Sequence, residues 1–119
     1  MDCFGWSVDI DGDLACVAAA LEGAVYIFQL DRGKWKQIDK LLPGQVVWEC
    51  LIAGNTVAVQ TYDLVNDNFD YLHIYRYDRD LNKFTPLQDP LPVNGYKFLS
   101  EDYLVYSAES TSASGDFVY

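Results

Sequence analysis

Two short segments carry oxygen-bearing side chains at a spacing that could hold a cation. Asp9-Ile10-Asp11-Gly12-Asp13 sets carboxylates at alternate positions around a glycine. A calcium loop begins this way: oxygen ligands alternate, glycine makes the sharp turn, and a distal carboxylate closes the shell. Here Leu14-Ala15-Cys16 follows and supplies no such carboxylate. The segment therefore reads as a tight hairpin turn, because glycine tolerates the positive φ that such turns require. The second segment is Asp63-Leu64-Val65-Asn66-Asp67-Asn68-Phe69-Asp70. Asn66, Asn68 and Asp70 alternate, without the central glycine and closing glutamate of a calcium-binding hand. It reads as a solvated polar turn, with calcium binding as the competing chemistry.

Other chemistries find less support. His73 is the sole histidine, and it occupies a position that aromatic residues fill elsewhere in the chain. No Ser/His/Asp or Cys/His set assembles around it. The carboxylates are scattered over turns, so a glycosidase pair is unsupported, and glycine-rich phosphate loops are missing. Cys3, Cys16 and Cys50 are odd in number and lack metal-ligand spacing. Buried reduced thiols are the expectation. The sequence thus implies no metal, no cofactor and no catalysis.

Charge and hydropathy narrow the partners. Eighteen Asp and Glu against eight Lys and Arg give a net charge of −10. Nucleic-acid binders need cations to displace counterions, so that class is excluded. No stretch approaches the ~20 apolar residues of a membrane span, and no signal peptide is expected ahead of Phe4. The compartment is not legible.

The elements that would position these residues come from repetition. Ile10-Asp11-Gly12-Asp13-Leu14 aligns with Ile52-Ala53-Gly54-Asn55-Thr56 and with Leu99-Ser100-Glu101-Asp102-Tyr103. Val25-Tyr26-Ile27-Phe28 aligns with Leu72-His73-Ile74-Tyr75, and then with Asp116-Phe117-Val118-Tyr119. Lys34-Trp35 aligns with Lys83-Phe84. Residues 1–119 therefore read as a single β-repeat domain, with repeats at 4–45 and 46–95 and a truncated one at 96–119. Runs rich in Val, Ile, Tyr and Phe, bounded by Gly, Asp, Asn or Pro, predict strands. The expected strands A to D lie at 4–10, 13–20, 24–31 and 34–42 in the first repeat. The second has 46–52, 55–62, 70–78 and 83–91; the third has 96–100, 103–108 and 115–119. Strand B of the first repeat is apolar on both faces, so it should be covered on both sides. Strand D carries Lys34, Lys36 and Lys40, or Pro86 and Pro90, the usual guards of an exposed sheet edge.

Four antiparallel strands at this period predict an all-β fold of propeller-type blades, incomplete at about three. Phe4-Gly5-Trp6-Ser7-Val8, Asp11-Gly12-Asp13, Ala24-Val25-Tyr26-Ile27-Phe28 and Trp35 leading to Lys40-Leu41 resemble an FG-GAP-type β-propeller repeat, the type found in integrin alpha-subunit propellers. The second repeat departs at Val46-Val47, where Phe-Gly would stand, and the third departs further. The resemblance implies a scaffold.

The expected function is a non-catalytic scaffold for protein–protein interaction, as a subunit or fragment of a larger assembly. A calcium-dependent or lectin-like binder is the alternative, and an enzyme built on blades comes after it. In such a blade the D–A and B–C connections share one end, and the B–C loops vary most in length. Variable loops on a rigid scaffold carry binding. Tyr62, Asp63, Asp67, Phe69 and Asp70 are the expected binding residues, facing a protein partner or another copy of the chain. Trp6 and Trp48 are repeat-equivalent, which favours packing over ligand stacking.

Overall fold

The computed structural model describes residues 3–78, 80–81, 83–92, 97–99, 104–107 and 116–118, with backbone alone for 69, 70 and the segments after 92. The described residues are all-β. The first sheet is a meander of β1 (Phe4–Asp11), β2 (Leu14–Ala19), β3 (Ala24–Asp31) and β4 (Lys34–Leu41). The second runs β5 (Val46–Ala53), β6 (Thr56–Asp63), β7 (Asn68–Asp78) and β8 (Lys83–Pro86), with β9 (Leu91–Pro92) also paired to β7. A third joins β10 (Lys97–Leu99), β11 (Leu104–Ser107) and β12 (Asp116–Val118). Every pairing is antiparallel.

Local chemistry sets the hairpins. At the β3–β4 turn, Arg32 and Gly33 both have positive φ, at 52° and 79°. That is the type I′ geometry whose twist matches the flanking strands, and it sets Asp31 opposite Lys34. Gly23 serves a different need. A Cβ on it would lie 2.8 Å from the Gln45 carbonyl oxygen, so only glycine lets the β2–β3 turn meet the β4–β5 linker.

The strand segments match the repeat reading, with three differences. The second repeat's strand D is not continuous over 83–91. It breaks after Pro86 and resumes at Leu91, because Pro86 and Pro90 withhold the amides a ladder needs. Strand β7 begins at Asn68, ahead of the expected 70, so Phe69 and Asp70 belong to a strand and the turn shrinks to 64–67. The third difference concerns β2, which among the described residues has another sheet packed on one side, that of Cys16 and Ala18. The 109–115 loop lies outside the described residues. Strands β4 and β8 end their sheets' pairing paths, as the lysines and prolines imply.

The core forms where the first sheet lies on the second. Cys16, Ala18, Val25, Ile27 and Leu41 from one meet Val47, Cys50, Ile52, Val57, Val59, Tyr75 and Phe84 from the other. The second sheet also buries its far face, where Ala58, Leu72 and Ile74 cluster with Leu51 and Leu91. Cys16 and Cys50 are free and buried. A hydrogen bond with Cys50, then burial, pushes the Cys16 thiol up, so it stays protonated.

Polar side chains fix the stacking register. Strand β1 runs beside the unpaired edge of β5 and satisfies its amides. The Ser7 Oγ accepts from Cys50 N at 3.1 Å, Asp9 Oδ2 from Ile52 N at 2.9 Å, and Asp11 Oδ2 from Gly54 N at 2.7 Å. All three pairs are 43 residues apart. At the other edge, Asp39 Oδ2 accepts from Phe84 N at 2.7 Å. Asp9→Ala removes a charged acceptor from a partly buried amide. It is expected to lower unfolding free energy by about 1.5–3 kcal/mol in urea denaturation, with Asp9→Asn recovering much of that.

Candidate functional site

The β2–β3 and β6–β7 turns and the start of β5 come together at one end of the sheet pair. The Val47 amide donates to the Ala20 carbonyl there at 3.1 Å. Between the sheets opens a cleft of about 300 Å³, lined by Trp6, Leu21, Trp48, Tyr62, Leu64 and Asp67 over a floor of Val46 and Val47. The opposite end, with Asp13, Gln29, Asn55 and Tyr77, holds a cavity of about 390 Å³.

Two β-bulges aim the tryptophans into the cleft. The β1–β2 register shifts between Phe4 and Ser7, leaving Trp6 out of the ladder. The β5–β6 register shifts between Val47 and Glu49, leaving Trp48 out. A bulge bends its strand and re-aims the extra side chain, which is why bulges recur beside binding sites. Trp6 and Trp48 meet edge-on with centroids 5.6 Å apart, and Trp48 stacks on Tyr62 at 5.2 Å and 28°. The aromatic row therefore crosses from the first sheet to the second. It packs, as the repeat spacing suggests, yet Trp6 remains 54% exposed and Trp48 40%. Large aromatics half in water beside a cleft present ring surface to it.

A third bulge, between Gln60 and Tyr62 in the β6–β7 pairing, positions Tyr62. Thr61 Oγ1 donates to the Tyr71 carbonyl at 3.1 Å and accepts from the Tyr71 amide at 3.2 Å. The buried Gln60 side-chain amide donates to the carbonyls of Thr61 and Tyr71. Tyr62 then donates to Asp67 Oδ1, and this bond to the carboxylate raises the phenol's pKa and keeps it protonated. Asp67 has φ 54°, an αL residue within the turn.

The sequence-derived residues thus take different places. Tyr62 and Asp67 line the cleft. Asp63 builds the turn instead: Oδ1 accepts from the Val65 and Asn66 amides, and Oδ2 from the Asn66 side chain at 2.7 Å. The Asn66 side chain, chiefly, holds the Asp63 carboxyl below the usual carboxylate range. Phe69 and Asp70 lie in β7, with Phe69 opposite Tyr62 in the register. Among the described residues no three His, Cys, Asp or Glu side chains group as metal ligands. In the first acidic segment, Asp9 and Asp11 tie the sheets together. Sequence reading missed both this and the exposure of the tryptophans. The available signal was their recurrence just after each strand start, next to the turns.

His73 sits behind the third bulge, its Nε2 3.4 Å from Thr61 Oγ1. Burial pushes its pKa below the ordinary histidine value of about 6.5. The unfolded chain therefore binds a proton that the folded chain refuses. Stability is intact above about pH 6.5 and falls as pH drops from there through the lowered folded value. The slope stays below about 1.4 kcal/mol per pH unit, the limit for one proton. His73→Phe should flatten urea midpoints across that window.

No protein-family model matches the chain, and no curated protein matches it.

Proposed function

We propose that the chain is a non-catalytic, propeller-type scaffold whose sheets act as successive blades of an FG-GAP-like repeat within a larger assembly. The observation that carries this reading is the outer face of the first sheet. Val8, Ile10, Leu30 and Trp35 on it are exposed, and cross-strand pairing sets Val17, Tyr26 and Phe28 on the same side. Their repeat equivalents in the second sheet include Cys50, Ile52, Val59, Tyr75 and Phe84, all buried against the first sheet. The molecule therefore presents on its surface a face of the kind it covers internally. An apolar patch of this extent marks an interaction surface.

A further sheet of the same design fits that face, and a second copy of the chain supplies one. Rings of this kind close with about four to eight blades, and two copies of three make six. The partner-facing end is the one bearing Tyr62 and Asp67, with Asp63 shaping its turn and Phe69 and Asp70 adjoining in β7. Molar mass in solution across a concentration series tests the assembly. A mass rising to twice the monomer's supports it; a monomer throughout refutes it.

A further inference from the structure

The geometry points to a cationic ligand for the aromatic cleft: the guanidinium or ammonium of an arginine or lysine side chain on a partner polypeptide. This rests on the reading of the turn-bearing end as the partner-facing one. Three aromatic side chains, Trp6, Trp48 and Tyr62, line the cleft with Leu21 and Leu64. Aromatic faces attract cations through their quadrupole, tryptophan most strongly. Among the described residues Asp67 supplies the carboxylate of the lining, and the Tyr62 hydroxyl holds it through Oδ1.

Among the described lining residues none is a lysine or arginine. Lys40, beside the β2–β3 turn, is engaged by Glu22 and lies over the Tyr26 ring. That pairing holds the Glu22 carboxyl low and the Lys40 ammonium high. The chain's surplus of ten negative charges adds long-range attraction for a basic partner. A neutral sugar fits less well. It needs several fixed donors and acceptors around an aromatic platform, whereas the described lining offers one carboxylate, already engaged by the Tyr62 phenol, beside the Cys3 thiol and the indole N–H groups of Trp6 and Trp48. Guanidinium needs an aromatic plane and a carboxylate, and both are present.

The test is tryptophan fluorescence titration of the whole chain with a short arginine-containing peptide, and with the same peptide carrying citrulline, the uncharged isostere. The arginine peptide should bind at least about tenfold more tightly. Asp67→Asn, which keeps the side chain's size, should weaken it about tenfold, and raising the salt should weaken it further. Trp48→Ala should abolish binding, with circular dichroism confirming the fold. If Trp48→Ala unfolds the chain, Asp67→Asn alone decides. Equal affinity for both peptides, or an unaffected Asp67→Asn, overturns the cationic assignment while leaving the cleft a recognition site. Binding of a neutral oligosaccharide at Trp48 in place of the peptide also overturns it. Failure of both peptides overturns it too, and the assembly reading then stands or falls on solution mass alone.

Discussion

Ile52→Ala is expected to lower unfolding free energy by about 2–5 kcal/mol, whereas Ile10→Ala lowers it by less than about 1 kcal/mol in the monomer. The two isoleucines occupy the same repeat position, next to the same hairpin, on the same side of their sheets. They differ in what lies over them. Ile52 is 4% exposed beneath the first sheet, and Ile10 is 56% exposed. Truncating Ile52 removes buried methyl groups and leaves a cavity between two sheets that cannot shift freely to fill it, since Asp9 and Asp11 tie them at a fixed register. Truncating Ile10 removes surface that is mostly in water already. Urea denaturation of dilute protein measures both. Equal penalties would mean that the outer face is covered even in the monomer, contrary to the structure.

The strands and their hairpin turns were the most legible feature, and the reason is physical. Strand alternation and turn chemistry are local, so Asp11-Gly12 and Gly54-Asn55 announce their hairpins without knowledge of tertiary structure. Arg32 and Gly33 do so less obviously, because arginine is an unusual choice at positive φ. The assignment of β4 as an edge followed equally well from Lys34, Lys36 and Lys40.

What the sequence concealed depends on partners far along the chain. The Asp9–Asp13 segment reads as turn or calcium loop when seen alone. The hairpin turn forms at Gly12-Asp13, but Asp9 and Asp11 also satisfy amides 43 residues away, a role no local pattern encodes. The second repeat replaces them with Leu51 and Ala53, so the repeat comparison also hid the function. The coverage of β2 illustrates the converse. Leu14 to Ala20 is apolar on both faces, which implies neighbours on both sides, but among the described residues a sheet packs only on the Cys16 and Ala18 side. The second strand of the second sheet, β6, is the one buried throughout its length up to Thr61. Bulges were invisible for a third reason. Trp6 and Trp48 alternate acceptably as strand residues, and only the register shift reveals that they leave the ladder.

The surplus apolar face leads to the second large effect. Ile10→Asp should leave the dilute monomer near wild-type stability while weakening self-association by roughly 100-fold or more. In the monomer the new carboxylate stands in water, and the change costs only the modest contacts Ile10 makes on its own sheet. In an assembly where a further sheet covers this face, the same carboxylate would be desolvated among Val8, Val17, Phe28 and Trp35, since the Lys40 ammonium on this face is already held by Glu22. Burying an unpaired charge costs about 3–5 kcal/mol, which is the stated loss of affinity. Leu81→Asp makes the control. Leu81 is 57% exposed between β7 and β8, away from both the outer face and the partner-facing end, and its replacement should leave association unchanged. Sedimentation equilibrium of the three proteins separates the outcomes. An Ile10→Asp chain that associates as tightly as wild type places the contact elsewhere. One that is monomeric, with an unaltered urea midpoint at low concentration, assigns the contact to this face. The Ile10→Ala penalty should then grow with protein concentration, because only the assembled form buries the residue.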